Sequence, residues 1–224
     1  MTIRAYDESY IHNAQNILGH AVDFAVMSLS IEPGIFGSAF MVSDASRQFA
    51  NGNPRYIAGT NGCELARKVL TETRTPFTDA DDVLFSDKGP EYWAGWALAF
   101  YQWYSGDSFM EILTAVPLSS LLLMYPVYHE MDILQFADRM RAEMKAAFPQ
   151  TRLRIRRETC RFSQAELVRD AGVPLRQIQL FEQGQRDINK TAAGTLFRLS
   201  RSLHCRMEDL IERDGMTDKR ALGD

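Results

Sequence analysis

The sequence predicts an all-α protein of two helical domains, and three observations carry that reading. Apolar residues recur at spacings of three and four along most of the chain, the period of an amphipathic helix. No stretch makes a convincing strand of any length, and no repeat returns at a fixed period. Charge divides unevenly: residues 1–150 hold 10 Lys plus Arg against 18 Asp plus Glu, whereas residues 151–213 hold 13 against 8. The net charge of −4 therefore conceals a basic C-terminal part behind an acidic N-terminal one. A chain of 224 residues with 46% hydrophobic content supports two real cores. We place the domains at residues 1–149 and 150–213, with 214–224 as a flexible tail.

The first helix is expected over residues 9–29, where Ile11, Ala14, Leu18, Ala21 and Ala25 form a stripe that Ile17 and Phe24 widen. Ser9, His12, Asn16, His20 and Asp23 share its other face. Two histidines and a carboxylate there could serve acid-base or metal chemistry, but no third ligand is identifiable, and a solvated or partner-facing stripe is the plainer expectation. Pro33 opens a second helix, with Phe36, Phe40 and Ser43 on one face before Phe49. Asn51 to Gly62, NGNPRYIAGTNG, breaks regular structure. A Gly-rich loop leading into a helix from Cys63 to Thr71 invites a phosphate-binding reading, yet neither a P-loop nor a dinucleotide fingerprint is present.

Thr75 to Asp87 is turn-rich and acidic and leads into the most hydrophobic helix. Between Tyr92 and Tyr104 stand Trp93, Trp96 and Trp103 with Phe100 and Tyr101. A helix apolar nearly all round is usually the buried centre of a bundle, and an aromatic ligand cage is the sharper alternative. Ser108 and Glu111 make a capping box for a helix ending near Val116-Pro117, and Leu118 to Met124 adds a further apolar turn or two. This pair faintly resembles a second helix-turn-helix but has no basic residues, so packing explains it better. Glu130 to Phe148 is the last long helix of this part, with Ile133, Phe136, Met140 and Met144 on one stripe, and Pro149 marks the boundary.

Arg152, Arg154, Arg156, Arg157 and Arg161 then surround Leu153 and Ile155, which are expected to pack inward from a basic first helix. Ser163 and Glu166 form an S-x-x-E capping box that starts the next. Gly172 supplies the left-handed residue that ends it, Val173 re-enters the core, and Pro174 suits a first helical turn. Ile178 and Phe181 continue inward until Gly184. Thr191 to Leu203 carries Leu196, Leu199 and Leu203, and Met207, Leu210 and Ile211 suggest a last short helix, five in all.

Residues 151–212 resemble the lambda-repressor-like, Cro/C1-type (XRE) helix-turn-helix domain, on SQAELVRDAGVPLRQIQLFEQG and its flanks. The resemblance implies that Gln164, at a helix N-terminus, touches a phosphate. It also implies that Leu175, Arg176, Gln177 and Gln179 face base edges, where Arg pairs with guanine and Gln with adenine. Gln183, Arg186 and Lys190 fall where family members grip the backbone. Arg157 and Glu182 match a charge pair that clamps the first helix to the third. Pro174 replaces the usual Ser or Thr cap, and Leu175 and Leu180 stand where polar readers are frequent. A leucine can meet a thymine methyl, and it can equally mark a helix that binds protein. The two-part build, including YWAGWALAFYQWYSG, resembles a group of bacterial regulators with a helical N-terminal region.

The expectation is thus a sequence-specific transcriptional regulator that reads double-stranded DNA through the helix at 174–183, as a homodimer. Its N-terminal domain would dimerise, or receive a small-molecule effector or protein partner. The alternative is an antitoxin-like protein whose N-terminal domain wraps a partner while the C-terminal domain autoregulates. Neither enzymatic activity nor a cofactor is expected, because no nucleophile, base and orienter can be assembled. Cys63, Cys160 and Cys205 are scattered and indicate neither a zinc site nor a disulfide framework. The absence of a long apolar run argues against a membrane span and for the cytoplasm.

Overall fold

The computed structural model describes residues 4–82 and 88–212, and among them every regular element is a helix or a helical turn. The tail expected at 214–224 and the end of the acidic stretch, 83–87, lie outside the described residues. The chain divides into two compact units, Ile3–Ala147 and Phe148–Asp224.

In the N-terminal unit, Ile11–Asp23 (α1) follows a 3-10 turn capped by Asp7 and runs on into a π-turn at Phe24–Ser28. Its expected stripe is buried, Ile11 to Ala25. The opposite face departs from a uniformly solvated one. His12 and Asn16 are exposed, but His20 packs edge-on against Tyr92 with ring centroids 4.8 Å apart, and Asp23 is 5% exposed. Two other elements cover this end of α1, and no periodicity within α1 reveals them. One is Gly62, where a Cβ would lie 2.5 Å from His20 Cβ and 2.6 Å from the Ala21 amide.

Pro33–Val42 (α2) starts on proline, with the Glu32 carboxylate accepting from the Ile35 amide at 3.0 Å. Ser43 does not continue the face of α2. It ends that helix and caps Asp44–Ala50 (α3) by accepting from the Ser46 amide. A single turn, Pro54–Ile57 (α4), interrupts the Gly-rich loop. Asn61 and Glu64 then form a reciprocal capping box that opens Gly62–Glu72 (α5). The Glu64 carboxylate therefore sits at the helix start, where a phosphate would otherwise go.

Pro90–Ser105 (α6) is the core helix. Tyr92, Trp93, Leu98, Tyr101 and Trp103 are buried, and Gly106, at φ +70°, ends it. α6 crosses α1 at backbone contact, since a Cβ on Gly95 would lie 2.3 Å from the Leu18 carbonyl oxygen. Ser108 and Glu111 cap Phe109–Ala115 (α7) reciprocally. Leu118–Tyr128 (α8) runs past the expected end at Met124 and through Pro126. Ile133–Ala147 (α9) buries Phe136, Met140 and Met144. Among the described residues no single helix is long and apolar enough to cross a membrane; α7 and α8 reach that length only as a pair bent by 75°.

The C-terminal unit contains Arg152–Thr159 (α10), Gln164–Ala171 (α11), Leu175–Glu182 (α12) and Ala193–Ser202 (α13), with 3-10 turns at Ile188–Lys190 and Met207–Asp209. The expected fifth helix is therefore a single 3-10 turn, which serves to deliver Leu210 into the core. That core comprises Leu153, Leu167, Val173, Ile178, Phe181, Ile188, Leu199 and Leu203 besides Leu210. Ile155 was expected inside but is 41% exposed. Two residues along a helix turn a side chain about 200° away, so Leu153 and Ile155 cannot share one core face. Past Leu210 the chain is clasped: Glu212 N donates to Asn189 Oδ1 at 2.9 Å, Asn189 Nδ2 donates to Glu212 O, and Arg152 N donates to Glu212 Oε1 at 2.5 Å.

Candidate nucleic-acid interface

Helix α11 begins where Ser163 Oγ accepts from the Glu166 amide at 3.2 Å and the Glu166 carboxylate accepts from the Ser163 amide at 2.7 Å. Ser163, through its side-chain hydroxyl and then its backbone amide, draws the Glu166 carboxyl below its ordinary range. Gly172, at φ +61°, lets the chain leave α11 without a Cβ clash. Val173 is buried, and Pro174 takes the cap position of α12 rather than its first helical residue. Proline offers no side-chain acceptor. The backbone amides of Leu175 and Arg176 consequently keep no hydrogen-bond partner among the described residues.

The inward face of α12 is Ile178, Phe181 and Glu182. Glu182 is the hub of a polar cluster under the helix. Arg157 Nε donates to its Oε1 at 2.6 Å and Arg157 Nη2 to its Oε2 at 3.0 Å, a two-pronged pair. The two side chains are 11% and 4% exposed. Gln164 Nε2 donates to the same carboxylate at 2.8 Å, and Arg157 Nη1 donates to the Phe162 carbonyl at 2.7 Å. One carboxylate thus joins α10, the start of α11 and the end of α12. The pair raises the Arg157 guanidinium pKa above its ordinary value.

The outward face presents Leu175, 43% exposed, with exposed Arg176 and half-buried Gln179, and Gln183 exposed just past the helix end. Gln177 is placed differently from these. It is half-buried, and its Nε2 lies 3.4 Å from Thr191 Oγ1. Arg186 is exposed with its guanidinium 5.8 Å from the Phe181 ring, and Lys190 is exposed with Asp187 at 3.7 Å. The structure therefore gathers Leu175, Arg176, Gln179 and Gln183 along one face. It ties Gln164 and Gln177 into internal bonds that they would have to exchange to reach a ligand. Several of the C-terminal arginines also act as internal cement: Arg156 donates to the carbonyls of Leu203 and His204, and Arg154 pairs with Glu158 at 2.9 Å.

Sequence reasoning missed the two unpartnered amides at the α12 start. The absence of a Ser or Thr at 174 was the available signal. It also missed Thr191 as the partner of Gln177. Among the described residues no group of three His, Cys, Asp or Glu could hold a metal ion. No family model, curated protein or solved structure matches the chain. Function must accordingly be read from the residues themselves.

Proposed function

We propose that residues 151–212 are a Cro/C1-type helix-turn-helix domain and that the protein is a sequence-specific DNA-binding transcriptional regulator. The observation that supports this best is the cluster of Arg157, Gln164 and Glu182, which holds α11 and α12 on either side of Gly172. It leaves Leu175, Arg176, Gln179 and Gln183 facing outward. α12 enters a major groove, with Arg176 and Gln179 meeting base edges and Leu175 a thymine methyl. Gln177 joins them on releasing Thr191. The bare amides of Leu175 and Arg176, with Gln183, Arg186 and Lys190, take phosphates. Gln164 reaches a phosphate only by leaving Glu182. One such helix spans few base pairs, so the protein acts as a homodimer on paired half-sites.

The experiment is a fluorescence-anisotropy titration against the DNA upstream of the gene and a scrambled duplex, at two salt concentrations. Tighter, salt-dependent binding to the upstream DNA supports the regulator. Arg176→Ala should weaken the cognate site by about 1–3 kcal/mol, whereas Arg186→Ala should weaken all DNA alike. Equal losses on both duplexes for both variants would remove the base-reading assignment. A second reading rests on the exposure of Leu175 and on exposed Leu123 and Val127 of α8: an antitoxin-like protein that holds a partner. Binding to neither duplex, together with a stoichiometric partner on copurification, would put that reading first.

A further inference from the structure

We propose that the N-terminal unit carries a binding site for a small planar aromatic anion, such as an aromatic carboxylate, between α6, α8 and the start of α9. A cavity of about 540 Å³ opens there, within the range of small-molecule sites. Its walls are aromatic. Trp93 belongs to the core side, packed edge-on against Tyr125 at 5.9 Å and Phe136 at 5.3 Å. Trp96, one turn along α6, lines the same cavity but is half-buried. Its ring stacks on no other ring and its indole N–H donates to no group among the described residues. Tyr128, on α8, completes the walls, so a flat ligand meets aromatic surface on more than one side.

The charge in the cavity selects the sign of that ligand. Lys88 lines it, and among the described residues no carboxylate does. Lys88 Nζ donates to Tyr92 Oη at 3.2 Å and stands 4.4 Å from the Tyr92 ring centre. Tyr92 Oη gives its own proton to Asn16 Oδ1 at 2.6 Å, which fixes the hydroxyl so that its lone pair faces the ammonium. Lys88 thus keeps donors beyond the one used, and it makes no ion pair among the described residues. His129 donates from Nδ1 to the Tyr125 carbonyl at 2.8 Å, and its Nε2 stands 3.6 Å from the carboxylate of Glu130, a residue outside the cavity lining. Aromatic cages commonly hold cations. Here a resident ammonium already occupies the Tyr92 face, so an incoming cation would be repelled and an anion drawn to Lys88 while its ring lies against Trp96.

The site stands independently of DNA binding. It is tested by calorimetric titration of the full chain with 2-naphthoate, its neutral isostere 2-naphthamide and the cation 2-naphthylmethylammonium. Naphthoate should bind one per chain and quench tryptophan fluorescence, and the amide should bind roughly ten- to hundredfold more weakly, the range for losing a hydrogen bond to a charged group. Lys88→Met should erase the preference for naphthoate over the amide, Lys88→Arg should restore it, and Lys88→Glu should turn it toward the ammonium compound. Lys88 precedes the first residue of α6, so circular dichroism of these variants should match the parent. Equal binding of all three compounds, no binding of naphthoate, or naphthoate binding unchanged in Lys88→Met would each overturn the proposal.

Discussion

Replacing Arg157 by alanine removes three donors at once: two to Glu182, at 2.6 and 3.0 Å, and one to the Phe162 carbonyl at 2.7 Å. What remains is a carboxylate on a side chain 4% exposed, with Gln164 as its remaining donor among the described residues. Breaking a buried pair from one side typically costs about 3–5 kcal/mol, because the surviving charge is uncompensated. A unit of about 62 residues has a total stability of only about 3–9 kcal/mol. Arg157→Ala should therefore leave the C-terminal unit partly or wholly unfolded at room temperature. Replacing both partners, Arg157→Met with Glu182→Met, leaves no orphan charge and should cost less than about 1.5 kcal/mol. All three tryptophans lie in α6, so fluorescence would report the other unit. The assay is amide hydrogen exchange on the full chain, read at α11 and α12. Protection there should collapse in the single variant and largely return in the double one. A single variant that loses less than about 1 kcal/mol, or a double variant as unstable as the single, would refute the view that Glu182 holds the three helices together.

Three further outcomes follow from the geometry. Gly95→Ala would place a Cβ 2.3 Å from the Leu18 carbonyl oxygen and 2.9 Å from Gly19 Cα, both backbone atoms of α1. The helices must separate, so thermal denaturation should show a loss of at least about 1–3 kcal/mol, and an unchanged melting temperature would contradict the close crossing. Ser163→Ala should cost about 1 kcal/mol through loss of the cap, measured by denaturant titration. The Glu166 carboxyl, held low by Ser163, makes that loss shrink as acid protonates it. Burial first, and then Lys88, lower the pKa of His20, so the folded chain resists a proton that the unfolded chain accepts. Stability should therefore fall as pH drops below the ordinary imidazole value of about 6.5. Asp23, whose carboxyl is raised by burial and by Glu91, opposes this trend. Comparing the parent with His20→Gln between pH 7 and 5 isolates the histidine, and parallel curves would dismiss its role.

What could be read in the sequence was whatever depends on near neighbours. The Ser108 and Ser163 capping boxes need a residue three positions away, and both form as expected. The stripe from Ile11 to Ala25 and the buried character of α6 follow from composition and period alone. What failed depended on residues distant in the chain. His20 looks like part of a solvated face until Gly62 and Tyr92 arrive beside it, and Asp23 on that face is buried as well. Ile155 looks like core because it is apolar, yet its angular position turns it outward. Gln164 and Gln177 read as ligand-facing through the family resemblance, and nothing near them in sequence announced that Glu182 and Thr191 would also be their internal partners. The cavity of Trp96 was legible only as aromatic excess, since Lys88 and Tyr128 come from either side of the helix in sequence.

The clasp of Glu212 on Asn189 and Arg152 has a consequence for how the C-terminal unit opens. Its bond from Arg152 spans sixty residues of chain. Closing a loop of that size costs about 3–4 kcal/mol of chain entropy, far more than the bond itself returns in water. The clasp can exist only while the core between its two sides is intact. Glu212 follows the last helical turn among the described residues, and amides beyond a helical turn ordinarily fray. Its amide should nonetheless exchange as slowly as those of α11, which makes this one residue a gauge of the stability of the whole unit.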